Sequence, residues 1–235
     1  MRNKYVNNTL SNEFLTGVKI MKRFSIVVLI VLSFCFIIGC KTSANNNTNT
    51  NNNSNNITNP PKLDKAADYL PLTKGSTWEY EGEGNEYASF KRKVLFTKDN
   101  LAQTSDDNGG TVMTRVIETS DNGLKILYFQ PEDYQPSNLL ETNFTANSQN
   151  LIIKNPIQVG TNWNDPDGKK EIVSLNAVVD SPLGKFDNCL KIKITTEKDT
   201  SIVYQYFQKG VGMVKQEFVS GDTIITSTLK NFKVE

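Results

Sequence analysis

Val173-Ser174-Leu175-Asn176-Ala177-Val178-Val179, then Pro182-Leu183-Gly184, then Leu190-Lys191-Ile192-Lys193-Ile194 is the stretch that decides the fold. Val173, Leu175, Ala177 and Val179 fall on one side of an extended chain. Leu190, Ile192 and Ile194 do the same on the next, with Lys191 and Lys193 opposite. A period of two on either side of a Pro/Gly turn predicts an antiparallel hairpin with one face on a core. The pattern runs outward from there. Ile202, Tyr204 and Tyr206 are read as continuing the apolar face, and Ile225, Ser227 and Leu229 as closing it.

Turn signals recur at Asp107-Asn108-Gly109-Gly110, Asp121-Asn122-Gly123, Asp165-Pro166-Asp167-Gly168, Lys198-Asp199 and Ser220-Gly221-Asp222. Such pairs favour the tight turns of hairpins. After Pro61 the short helix candidates are Lys62 to Leu70 and Pro136 to Thr142. The expected domain is therefore all-β, an antiparallel meander forming a curved sheet or open barrel.

The domain also repeats a motif. Pro71-Leu72-Thr73-Lys74-Gly75-Ser76-Thr77-Trp78 matches Pro156-Ile157-Gln158-Val159-Gly160-Thr161-Asn162-Trp163, an offset of 85. Tyr128-Phe129-Gln130 matches Tyr206-Phe207-Gln208 at an offset of 78, so a seven-residue indel separates two expected halves. In each copy Pro ends what precedes it, Gly permits a turn, and Trp opens a strand with a large apolar side chain. Pro71, Gly75, Trp78, Pro156, Gly160 and Trp163 are thus a structural motif, each Trp expected to be buried against its own meander. An exposed aromatic platform for a ligand is the rival reading.

The N-terminus carries a different kind of information. Met21-Lys22-Arg23 precedes an apolar run from Phe24 to Ile38, then Gly39-Cys40. Two cations and a short apolar run fit an export signal, and the run is shorter than the roughly 20 residues of a membrane span. Ile37-Ile38-Gly39-Cys40 resembles the bacterial lipobox, which implies cleavage before Cys40 and a diacylglyceryl group on its sulfur. Residues 1–20 are polar and unlike an export signal, and read as untranslated leader; a pyrimidine-rich stretch at the codons for Thr16-Gly17-Val18 would remove that reading. Residues 21–39 are then the signal peptide, and 40–65 a tether.

Between Asn45 and Asn59, ten of fifteen residues are Asn, and Pro60-Pro61 follows. With little apolar area to offset chain entropy, this stretch is expected to be a disordered spacer about 25 Å long. The domain proper, 66–235, is long enough to bury about 70% of its unfolded surface without a disulfide or metal.

Charge and chemistry exclude several classes. From Cys40 onward there are 21 Lys and Arg against 24 Asp and Glu, a net charge of −3. No basic tract interleaves with aromatics, so nucleic acid is not an expected partner. The chain has no histidine, which removes Ser-His and Cys-His catalysis and the usual zinc sites. Cys189 remains after Cys35 leaves and Cys40 takes lipid, and is read as a semi-buried strand residue. Asp165-x-Asp167-Gly168 copies part of a calcium loop but lacks its closing Glu, so a hairpin turn is expected. No metal site, cofactor or catalytic residue is expected. Glu118 with Asp121, and Glu81 with Glu83, are carboxylate pairs that default to exposed charges.

Pro71-Leu72-x-x-Gly75-x-x-Trp78-x-Tyr80 and Tyr206-x-x-Lys209-Gly210-Val211-Gly212-x-Val214-Lys215 together resemble a group of poorly characterised surface lipoproteins of low-GC Gram-positive bacteria. The resemblance spans roughly Tyr69 to Lys233 and brings no activity with it. The Gly-Val-Gly segment lies between strand-like runs, so it is expected to be a turn rather than a phosphate loop. The chain is therefore expected to be a non-enzymatic lipoprotein held on the outer face of the cell membrane through Cys40, its β domain binding an apolar, peptide or envelope ligand. The alternative is an envelope hydrolase working through Asp and Glu.

Overall fold

The computed structural model describes residues 63–196 and 200–235. The signal segment, Cys40, the Asn-rich tether and the Lys198-Asp199 turn lie outside the described residues. The described chain is all-β. Twelve strands follow in order: β1 (Thr77–Glu83), β2 (Phe90–Lys98), β3 (Leu101–Asp107), β4 (Val112–Ser120), β5 (Gly123–Gln130), β6 (Asn150–Lys154), β7 (Asn162–Asp165), β8 (Gly168–Ser181), β9 (Gly184–Thr195), β10 (Ile202–Gln208), β11 (Gly212–Ser220) and β12 (Thr223–Lys233). Two 3-10 turns complete it, Ala66–Tyr69 and Leu139–Glu141, far shorter than the helix candidates.

All twelve strands belong to one antiparallel sheet in the order β6-β5-β4-β3-β2-β1-β12-β11-β10-β9-β8-β7. Each half is a six-strand meander of consecutive hairpins. The halves are joined by β1 and β12, whose ladder runs from Thr77 opposite Lys233 to Glu83 opposite Thr226. The sheet curls until its two outer strands, β6 and β7, come together.

One face of the sheet forms a continuous core. It includes Trp78 and Tyr80 of β1, Val94 of β2, Ile117 of β4, Ile172 of β8, Leu190 and Ile192 of β9, Phe207 of β10 and Leu229 of β12, all fully buried. Fully burying such a side chain contributes about 1.5–3 kcal/mol, so this inner face is the main source of stability. One end of the interior is stopped by the segment before β1. There Ala66, Tyr69 and Leu70 are buried, Ala66 N donates to Asn155 Oδ1 at 2.9 Å, and Gly210 N donates to Asp68 O at 2.7 Å.

The phase of the apolar face differs from the sequence reading in two places. Strand β8 has register shifts between Ile172 and Ser174 and again before Ala177 and Val179. The first bulge moves the side-chain phase of β8 by one after Ile172. Ile172, Leu175, Ala177 and Val179 therefore join the core, and Val173 does not. On β10, Val203, Gln205 and Phe207 stand opposite Ile194, Ile192 and Leu190. The inward face is the Val203 face; Tyr204 and Tyr206 stand opposite Lys193 and Lys191 on the outer one.

Candidate functional site

The two copies of the Pro-Gly-Trp motif sit at matching places. Trp78 is the second residue of β1 and Trp163 the second residue of β7, so each opens its own six-strand meander. The loops before them bond alike. Ser76 N donates to Thr73 O at 3.1 Å, and Thr161 N donates to Gln158 O at 3.0 Å. Gly75 N donates to Val94 O at 3.0 Å and Val94 N returns to Ser76 O at 2.9 Å. In the second copy Gly160 N donates to Ile172 O and Ile172 N to Thr161 O, both at 2.9 Å. Gly75 and Gly160 have φ of 95° and 90°, a region that L side chains avoid.

Gly75 and Gly160 are 85 positions apart, and Val94 and Ile172 are 78 apart, so the seven extra residues lie in the β1–β2 hairpin. They form a loop folded back on the inner face. A Cβ on Gly82 would lie 2.3 Å from the Ala88 carbonyl carbon, and Ser227 Oγ donates to Ala88 O at 2.7 Å. Pro71 is half-buried; Pro156 is exposed and follows a cis Asn155–Pro156 bond. The second sequence match does not share this symmetry. Tyr128-Phe129-Gln130 lies on the fifth strand of the first meander and Tyr206-Phe207-Gln208 on the fourth of the second. Successive strands of a meander reverse, so the two segments run in opposite directions.

Both indoles donate across the halves. Trp78 Nε1 donates to Val211 O at 2.6 Å, and Gly212 makes room for it, since a Cβ there would lie 2.9 Å from that nitrogen. Gly212 has a φ of 116° and closes the β10–β11 turn, where the Gly-Val-Gly segment was expected to turn. Trp163 Nε1 donates to Leu151 O at 2.9 Å and to Asp165 Oδ2 at 3.0 Å.

The second contact belongs to a seam between the outer strands. Leu151 N donates to Asp165 Oδ2 at 3.0 Å, while Lys170 Nζ donates to Asn150 Oδ1 at 2.6 Å and to Leu151 O at 3.2 Å. Side chains of β7 and β8 thus satisfy the edge groups of β6. That blunts an edge that would otherwise invite another strand. Asp165, which ends β7, and Asp167, in the turn after it, are the calcium-like pair and are taken up by protein donors; Asp167 accepts from Asn150.

A charged cluster on the inner face was missed from the sequence. Arg92 donates to Asp106 with both Nε and Nη2, at 2.8 and 2.7 Å, and Arg115 Nη1 donates to the same carboxylate. In register, Arg92 faces Asp106, and Arg115 faces Thr104 and Phe129. Burial, the largest influence, pushes the Asp106 carboxyl up, but the two guanidiniums outweigh it and hold it at about 2. A signal was present. Arg92 and Arg115 are the only arginines after Arg23, each at an inward phase between apolar residues, Phe90 and Val94 or Met113 and Ile117. The planar fork of arginine suits a buried carboxylate, which it can grip through two bonds at once.

The remaining candidates are separated. Glu118 stands opposite Lys125, and Asp121 is a fully exposed turn residue near Lys65. Glu81 and Glu83 are exposed on β1. Cys189 is buried more deeply than expected, with Sγ 3.3 Å from Gln208 Oε1, and burial followed by the nearby Asp187 charge pushes its thiol up to about 11. On the outer face Lys191 Nζ lies 4.0 Å from the Tyr204 ring centroid and 4.9 Å from that of Tyr206.

No family model matches the chain, and no curated protein does either. Two solved structures are similar over most of the domain. One, described as an exported protein with a YmcC-like fold from Bacteroides fragilis, is 11% identical with a TM-score of 0.35, covering 70% of this chain and 98% of its own. The other, described as a lipoprotein from Parabacteroides distasonis, is 15% identical with a TM-score of 0.34, covering 72% of this chain and 100% of its own. Overlap at that level transfers neither topology nor activity.

Proposed function

We propose that the chain is a bacterial surface lipoprotein, anchored through lipid on Cys40, whose β domain is a non-catalytic ligand-binding or envelope-interaction module. The observation that carries the anchoring is the succession of Lys22-Arg23, a short apolar run, Ile37-Ile38-Gly39-Cys40 and an Asn-rich spacer. Among the described residues no helix is long and apolar enough to cross a membrane.

The side-chain chemistry of the domain favours binding over turnover. The chain has no histidine and the domain thiol is buried. Asp106, the single carboxylate of the charged cluster, is held ionised and is a poor proton donor near neutrality. The anchoring is tested by expressing the parent and Cys40→Ala in a Gram-positive host. The parent should enter the detergent phase and Cys40→Ala the aqueous phase; equal partitioning would refute lipidation at this cysteine.

A further inference from the structure

We propose that the inner face around Arg115 is an oxyanion site that takes the carboxylate or phosphate group of a ligand, an inference that rests on the ligand-binding reading above and names its chemistry. Two guanidiniums share a single carboxylate. Arg92 engages Asp106 through two bonds, whereas Arg115 reaches it through one. The trio Arg92, Asp106 and Arg115 therefore carries one uncompensated positive charge, and its side chains are 15%, 11% and 21% exposed. An unmatched charge in so enclosed a place is costly unless an anion joins it.

Donors remain for that anion. A guanidinium has five N–H groups, so Arg115 keeps four beyond its bond to Asp106. Thr104 faces Arg115 across the β3–β4 ladder, and its buried hydroxyl has no hydrogen-bond partner. Phe129 faces Arg115 on the other side, across β4–β5. A planar fork beside a spare hydroxyl matches two oxygens of a carboxylate or phosphate, and the phenyl ring offers apolar surface to whatever carries them. Carboxylate and phosphate share this recognition, and two probes tell them apart.

The experiment is calorimetric titration of the full chain in detergent at neutral pH and low salt, with sodium phosphate or sodium acetate against a chloride background. Binding of either salt supports the site, and the tighter one identifies the group. Arg115→Gln should abolish it, and Arg115→Lys, which keeps the charge but loses the fork, should weaken it by about tenfold, as expected for one lost charge-assisted bond. Lys193→Gln, on the outer face opposite Glu171 and Tyr204, should bind as the parent does. If Arg115→Gln does not fold, Arg115→Lys decides. No binding of either salt by the parent, parent-like binding by Arg115→Lys, or an equal loss in Lys193→Gln would overturn the proposal. Detergent partitioning is read separately, so failure here leaves the anchoring reading standing.

Discussion

Lys170 Nζ lies 3.0 Å from Asp165 Oδ2, and both side chains are almost wholly buried. The pair fastens the β7–β8 hairpin to β6, because each partner also bonds the main chain of Leu151. Lys170→Met should cost about 3–5 kcal/mol, since it leaves the Asp165 charge buried and unpaired. Adding Asp165→Asn should recover part of that loss. Urea unfolding of the parent and the two variants checks it, and a cost under about 1 kcal/mol for Lys170→Met would mean the seam is held otherwise.

Asp106 gives the domain an acid limb. Its folded carboxyl titrates at about 2, below its ordinary 3.8, so the unfolded chain binds its proton first on acidification. The stabilisation is complete above roughly pH 5 and is lost as the pH falls toward about 2. Asp106→Asn should destabilise the domain at neutral pH by about 3–5 kcal/mol, by stranding two guanidiniums. It should also flatten the stability profile between about pH 4 and 2. A mutant profile parallel to the parent's over that range would assign the acid limb to other carboxylates.

Trp78 and Trp163 are 1% and 7% exposed, which argues against the ligand-platform reading. Replacing either with Ala should cost about 3–5 kcal/mol in urea unfolding. Acrylamide should quench neither ring appreciably before unfolding; strong quenching with unchanged stability would make the pair an exposed platform.

Cys189 should react slowly with a maleimide in the folded domain and at the rate of a free thiol in urea. Burial and a raised thiol value both suppress the reactive thiolate. Fast labelling under native conditions would show that the β8–β9 hairpin opens readily.

Much of the meander is legible in the sequence because turn and alternation are local. Asp121-Asn122-Gly123, Pro182-Leu183-Gly184 and Ser220-Gly221-Asp222 all stand between paired strands. Alternation alone cannot locate a bulge, so Val173 is placed on the wrong face of β8. It also cannot choose between two faces that both carry apolar residues: Tyr206 is buried as its phase suggests, yet it and Tyr204 pair with Lys191 and Lys193, not with Leu190, Ile192 and Ile194. Long-range pairing is beyond a local signal. Nothing in Thr77–Glu83 or Thr223–Lys233 announces their ladder. The Arg92–Asp106–Arg115 cluster draws on three strands, and only the scarcity of arginine hints at it.

Anchoring through Cys40 is the claim on which the functional reading stands, and intact-mass spectrometry of the protein extracted from bacterial membranes tests it most directly. The predicted species begins at Cys40, has lost residues 1–39, and is heavier than that peptide by a diacylglyceryl group. A mass equal to the unmodified chain starting at Met1 or Met21 would contradict it.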